Sequence, residues 1–143
     1  MTDVVAVSWT LHHTGVVVED LAAAEVTYRA LGFTDGERVS VPAQGIEAIV
    51  FAAGENRWLE LISPTDPEGP IAQFMGKRGE GVHHVAYQVD DIEVELARLR
   101  EAGVRLIDEV PREGAHAGWQ IAFIHPESTN GVLTELVQVD GHS

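Results

Sequence analysis

The chain has 143 residues, of which 45% are hydrophobic and 22% are charged, a balance typical of one soluble globular domain. It contains no cysteine, which excludes disulfides, thiolate nucleophiles and iron–sulfur clusters, and no apolar stretch approaches the ~20 residues of a membrane span. The formal net charge of −14 makes a nucleic acid a poor partner, and an anionic substrate would need a local arginine or a bound metal. Residues 1–4 lack the basic start of a signal peptide, so we expect a cytoplasmic protein.

The first half of the sequence predicts a strand, a helix and then three further strands. The β-branched run at 10–18 is typical of a strand, and alternation along it turns His12 and His13 to opposite faces. Asp20 is a suitable N-cap for a helix over 20–31. Three more strand-like runs follow at 36–42, 45–53 and 57–63.

A connector rich in proline and glycine, at 64–81, separates the two halves, and a short helix is predicted within it at 71–76. The second half then shows a strand at 82–89, a helix at 91–102 and strand-like runs at 104–110, 118–125 and 131–138. In the predicted helix, Ile92, Leu96 and Leu99 fall at positions i, i+4 and i+7, which indicates one buried apolar face.

The two halves are copies of one another. Residues 13–21 align with residues 84–92 at an offset of 71, and the register continues without a gap until Gly32 falls on Gly103. Both glycines stand where the C-terminal end of a helix favours a left-handed residue.

The repeat predicts two βαβββ modules, at 8–68 and 78–139, within a single domain over 1–143. One face of each module is covered by its helix, and the other face is left open. We therefore expect an α+β fold in which the modules pair into a curved, mixed eight-stranded sheet around a cup. Equivalent positions of the two modules would then point into that cup.

Each module places one histidine and one glutamate at an equivalent position. His13 and His84 coincide in the repeat, and Glu60 and Glu135 each stand alone among apolar residues in the last strand of their module. A lone carboxylate is costly to bury, so either the glutamates face solvent or a cation lies between them, and the symmetry favours a cation. Two imidazoles and two carboxylates suit a divalent transition metal with open positions for water or substrate. We interpret the adjacent His12 and His83 as structural.

The sequence around these residues resembles the vicinal oxygen chelate (glyoxalase/bleomycin resistance/dioxygenase) superfamily, and within it the methylmalonyl-CoA epimerase family. The resemblance spans 10–138 and is strongest at 69–74, 81–92, 103–112, 114–116, 124–126 and 131–136. It implies the same four metal ligands, His13, Glu60, His84 and Glu135, with either Gln or Glu at the position of Glu60. It also implies one divalent ion per chain (Co, Mn, Ni, Zn or Mg), an acyl-CoA thioester as substrate, and a homodimer.

The activity that this resemblance implies is proton transfer beside a thioester. An epimerase of this kind would interconvert the 2-epimers of methylmalonyl-CoA or a related 2-carboxyacyl-CoA through a metal-stabilised enolate, with Glu135 as one acid/base. Some epimerases carry a second catalytic glutamate on the third strand, a few residues after a Gln-Gly pair. Glu47 is the candidate for this second acid/base, although it stands one position early, which turns it to the opposite face unless a bulge restores it.

Other functions use the same scaffold. A glyoxalase I type lactoylglutathione lyase has the same two-histidine, two-glutamate set, although the segments at 70–74 and 111–116 favour the epimerase. A ring-cleaving dioxygenase needs open metal positions, one of which Glu60 would occupy. An antibiotic-binding resistance protein would need no metal and no ligand set, and a metal enzyme acting on a specialised acyl substrate is a further alternative.

Overall fold

The structure, a computed structural model, describes residues 9–114 and 116–139. Residues 1–4, on which the expectation about a signal peptide rests, and residue 8, at the start of the first predicted module, lie outside this part. The strands are β1 (Thr10–Val17), β2 (Glu37–Val41), β3 (Ile46–Ala52), β4 (Trp58–Pro64), β5 (Gly81–Gln88), β6 (Arg112–Glu113), β7 (Trp119–Ile124) and β8 (Thr134–Val139). The helices are α1 (Leu21–Leu31), α2 (Pro70–Arg78) and α3 (Ile92–Glu101), with a 3₁₀ turn at Pro42–Gln44. No helix in the described part is long and apolar enough to cross a membrane.

The eight strands form one mixed sheet in the order β2-β3-β4-β1-β5-β8-β7-β6. β1 pairs with β4 in parallel, whereas the hairpin partners β2–β3, β3–β4, β6–β7 and β7–β8 are antiparallel. Each half of the chain has the order strand, helix and three strands, and α2 lies in the connector. The predicted α+β class, with two βαβββ halves and one eight-stranded mixed sheet, is confirmed.

The described chain divides into two compact units. The first unit comprises residues 13–85, and the second comprises the described residues on either side of that range. Both β1 and β5 continue from one unit into the other. The single domain over 1–143, its modules at 8–68 and 78–139, and the cup stay predictions.

In the first unit both faces of the sheet are buried. Ile49 and Leu61 pack with α1 through Leu21, whereas Ala48 and Ile62 lie on the other face and pack with α2. Because alternate residues of a strand point to opposite faces, the chemistry of any side chain on β3 or β4 depends on which of these two faces it joins.

In the second unit α3 covers one face of the sheet. Ile92, Leu96 and Leu99 are buried against β7 and β8, as their spacing predicted. The opposite face of the same strands carries a separate cluster that includes Ile121 and Val137.

The predicted helix ends are confirmed. Asp20 and Asp91 are N-caps whose carboxylates accept hydrogen bonds from backbone N–H groups one turn into α1 and α3, at 3.0 and 3.2 Å. Gly32 and Gly103 follow the two helices with φ of +117° and +85°, the left-handed region that favours glycine.

The prediction of a strand at 104–110 is wrong. In this segment Leu106 forms an isolated bridge to Ile124, and the strand β6 begins only at Arg112. The Asp108 carboxylate accepts the backbone N–H of Phe123 at 2.8 Å, so a side chain takes a hydrogen bond that a strand would have taken. Pro111 then has no N–H to offer a ladder.

Candidate metal centre

Two buried histidines face each other from the neighbouring strands β1 and β5. His13 is 2% exposed and His84 is 5% exposed. Their Nε2 atoms are 3.0 Å apart, and the two rings are nearly perpendicular. Two nitrogens that each lie ~2.1 Å from a metal ion, at right angles around it, are about 3.0 Å apart. The pair therefore has the separation that two adjacent ligands of one ion require.

Glu60 joins the two histidines from β4, on the other side of β1. Its side chain is 11% exposed, and Oε1 lies 3.9 Å from Nε2 of His13. Glu60 is paired with Gly15 of β1, which places it on the same face as His13, two residues earlier. A carboxylate buried beside the His13 imidazole favours a positive charge in this place, which a divalent cation would supply. The donor set therefore fits a metal ion.

A second group of contacts fixes the orientation of His84. Its ring lies over Gly15, where a Cβ would come within 2.6 Å of the Nδ1 atom. The Nδ1 atom is 2.9 Å from Nδ1 of His83, whose ring packs edge-on against Phe74. A metal-ligating imidazole usually has such a hydrogen-bond partner on its other nitrogen. The sequence interpretation of His83 as merely structural missed this contact, for which the only signal was its adjacency to His84.

Glu135 lies at the second position of β8 and is 4% exposed. It is paired with Phe123 of β7, so its side chain shares the face of Val137 and not the face that packs against α3. His13 and His84 lie in the first compact unit, and Glu135 lies in the second. Three of the four predicted ligands, His13, Glu60 and His84, therefore belong to the first unit.

Glu47 lies on the opposite face of β3 from this cluster. β3 pairs with β2 and β4 in a continuous register from Ile46 to Ala52, so the bulge that would turn Glu47 round is not present in this strand. Glu47 is paired with Ser63 and lines a cavity at the start of α1 together with Glu19 and Asp20. The structure therefore does not bring Glu47 together with His13, Glu60 and His84.

His12 is also buried, and its ring packs edge-on against Trp119 with 4.6 Å between the ring centres. The ring of His116 lies against Trp119 as well, at 4.2 Å. These contacts agree with a packing role for His12.

Comparison with known proteins places this arrangement in a family. The model of the Glyoxalase/Bleomycin resistance protein/Dioxygenase superfamily matches residues 12–123. The mitochondrial methylmalonyl-CoA epimerase of Bos taurus is 39% identical over 130 residues, which cover 90% of this chain and 73% of that protein. The ethylmalonyl-CoA/methylmalonyl-CoA epimerase of Cereibacter sphaeroides is 39% identical over 132 residues, which cover 90% of this chain and 97% of that protein.

A solved structure of a methylmalonyl-CoA epimerase is also similar to this chain. A variant of the Streptomyces coelicolor methylmalonyl-CoA epimerase, in complex with 2-nitronate-propionyl-CoA, superposes with a TM-score of 0.83 at 33% sequence identity. The match covers 92% of this chain and 95% of that chain. The chain therefore belongs to the glyoxalase/bleomycin resistance protein/dioxygenase superfamily, the family that its sequence motifs predicted.

Proposed function

We propose that this protein is a metal-dependent epimerase that interconverts the 2-epimers of methylmalonyl-CoA or of a related 2-carboxyacyl-CoA. The observation that carries the proposal is the buried pair of His13 and His84, whose Nε2 atoms are 3.0 Å apart, with the Glu60 carboxylate 3.9 Å from His13. Relatives that are 39% identical over most of this chain are named methylmalonyl-CoA epimerases. The solved relative from Streptomyces coelicolor is bound to a propionyl-CoA analogue.

We assign one divalent ion per chain to His13, Glu60, His84 and Glu135. The 3.0 Å between the Nε2 atoms of His13 and His84, and the burial of both glutamates, support this set. Two nitrogen and two oxygen donors accept Co, Mn, Ni, Zn or Mg. When bound, the ion would polarise the thioester carbonyl and stabilise the negative charge that develops as the α-proton leaves.

Glu135 is the acid/base that we assign to one side of the reacting carbon. Its carboxylate is buried, so little water competes for the proton that it accepts from the α-carbon. Inversion requires that a proton return to the opposite side of the planar carbon from a second group. Glu47 lies on the α1 side of β3, and we assign this second role to no residue.

The proposal is tested by following epimerisation and hydrogen exchange together. Metal-loaded protein is incubated in D₂O with a single epimer of methylmalonyl-CoA, and C2 is monitored by NMR and mass spectrometry. We expect both epimers to appear with one deuterium at C2, and we expect His13→Ala to abolish the reaction. The hemithioacetal of methylglyoxal and glutathione is assayed in parallel. Turnover of that substrate alone would identify a glyoxalase I type lyase and contradict the proposal.

The family resemblance also leads us to propose a homodimer. Light scattering after size exclusion should give about twice the 15.5 kDa chain mass. A species of one chain mass at all concentrations would contradict this part of the proposal.

A further inference from the structure

Arg112, on the edge strand β6, is held in a defined position by two contacts. Its Nε donates a hydrogen bond to Oδ1 of Asp108 at 3.2 Å, and its guanidinium carbon lies 5.5 Å from the centre of the Phe123 ring. The other oxygen of Asp108 accepts the backbone N–H of Phe123 at 2.8 Å. One carboxylate therefore joins the Arg112 guanidinium to the neighbouring strand β7.

The side chain of Arg112 lies on the face of the sheet that carries Glu135. Arg112 is paired with Ile121 across β6 and β7, and Phe123 is paired with Glu135 across β7 and β8. Paired residues of neighbouring strands share a face, and so do Ile121 and Phe123, two positions apart on one strand. Arg112, Phe123 and Glu135 thus follow one another across three strands on a single face.

Arg112 retains hydrogen-bonding capacity on this face. Its side chain is 50% exposed, and no described residue accepts a hydrogen bond from its two terminal nitrogens, since Asp108 engages Nε. The chain carries 23 acidic residues against 9 basic ones, so most of its surface repels an anion. A guanidinium held on the face of Glu135 is the kind of local exception that an anionic substrate needs.

We propose that Arg112 binds anionic oxygens of the thioester substrate and that Asp108 is its positioning residue. The inference rests on the proposed function and names the group that recognises the substrate charge. A 2-carboxyacyl-CoA has a carboxylate next to the reacting carbon and phosphates at the far end of the CoA arm. Either group accepts two parallel N–H bonds from a guanidinium.

The test compares Arg112→Gln, Arg112→Lys and Asp108→Asn with a matched control, Arg105→Gln. Arg105 is an exposed arginine that pairs with Glu127 at 3.2 Å. Arg105→Gln removes one positive charge, as Arg112→Gln does. For Arg112→Gln we expect Kd and KM for methylmalonyl-CoA to rise about 10- to 100-fold with little change in kcat, because a charge-assisted hydrogen bond to the substrate is lost.

The other variants separate charge from geometry. Arg112→Lys should lose part of the affinity, because an ammonium keeps the charge without the planar pair of donors. Asp108→Asn should raise KM less than Arg112→Gln does, since the cation remains but is no longer held. The control should match the wild type, and the thermal unfolding midpoint of each variant reports whether it is folded.

Three further ligands identify the anion. If Arg112 binds the carboxylate, Arg112→Gln weakens binding of methylmalonyl-CoA but not of propionyl-CoA, which lacks that group. If Arg112 binds a phosphate, Arg112→Gln weakens binding of both CoA esters. Its binding of methylmalonyl-pantetheine, which lacks the CoA phosphates, is then unchanged.

Unchanged affinity of folded Arg112→Gln for methylmalonyl-CoA would overturn the inference. A loss that extends to propionyl-pantetheine, which carries neither anion, would overturn it too. Failure of the wild-type protein to epimerise any thioester would instead overturn the proposed function.

Discussion

Binding of the metal ion should raise the unfolding midpoint of the protein by an amount that can be calculated. The ligands lie on different strands and are buried, so only the folded chain brings them together. An ion that binds only the native state stabilises it by about 2.7 kcal/mol when its free concentration is 100 times Kd. For a chain of 143 residues, the entropy of unfolding is about 0.3 kcal/mol/K, so the unfolding midpoint Tm should rise about 9 °C.

The assay is thermal unfolding followed by circular dichroism, before and after Co²⁺ is returned to chelator-treated protein. In His84→Ala the affinity should fall at least about 100-fold, so the same Co²⁺ concentration should raise Tm by only about 1–2 °C. His125→Ala is a matched control, because His125 lies in the turn after β7, where its Nδ1 accepts the N–H of Glu127 at 3.0 Å. It should keep the full shift. A wild-type Tm that responds to none of the ions Co, Mn, Ni, Zn and Mg would refute the reasoning. An equal Tm shift in His84→Ala and the wild type would refute it too.

Three other predictions concern proton transfer, pH dependence and packing. Glu135→Gln should slow deuterium exchange at C2 about 10²- to 10⁴-fold, because an amide cannot accept the proton, whereas Glu47→Gln should exchange at the wild-type rate. The Arg98 guanidinium beside Glu95 lowers the pKa of that carboxyl below 4.5, so the stability that it contributes is present above pH 4.5 and is lost as the pH falls through the lowered pKa. Urea unfolding of Glu95→Gln should show a loss of about 0.5–1 kcal/mol at pH 7 that shrinks below pH 4.5, and a loss independent of pH would be inconsistent with this cause. Leu96→Ala should cost about 2–5 kcal/mol in the same assay, because it leaves a cavity under α3, and a cost below about 1 kcal/mol would argue against its burial.

Much of the fold followed from local patterns. Helix caps such as Asp20, the apolar face of α3 and the alternation of the strands depend on residues close in sequence. The duplication then added long-range information, because equivalent positions of two copies are expected to meet. This is why His13 and His84, which are 71 residues apart, could be paired from the sequence.

The remaining features depend on contacts that no local pattern encodes. The hydrogen bond from Phe123 to Asp108 joins residues 15 apart and replaces a predicted strand by a bridge and a short β6. It also places Arg112, which the sequence alone did not distinguish from other surface arginines. Strand alternation assigned His83 to the face away from His84, yet their Nδ1 atoms approach to 2.9 Å, because ring orientation depends on side-chain torsions as well as on backbone direction.

The most direct test of the metal centre is a crystal structure of the cobalt-loaded protein with anomalous data at the cobalt absorption edge. We expect one anomalous peak per chain, about 2.0–2.3 Å from a ring nitrogen of His13 and His84 and from a carboxylate oxygen of Glu60 and Glu135. A peak bound by other side chains, or a protein that epimerises its thioester with no ion at these four residues, would contradict the assignment.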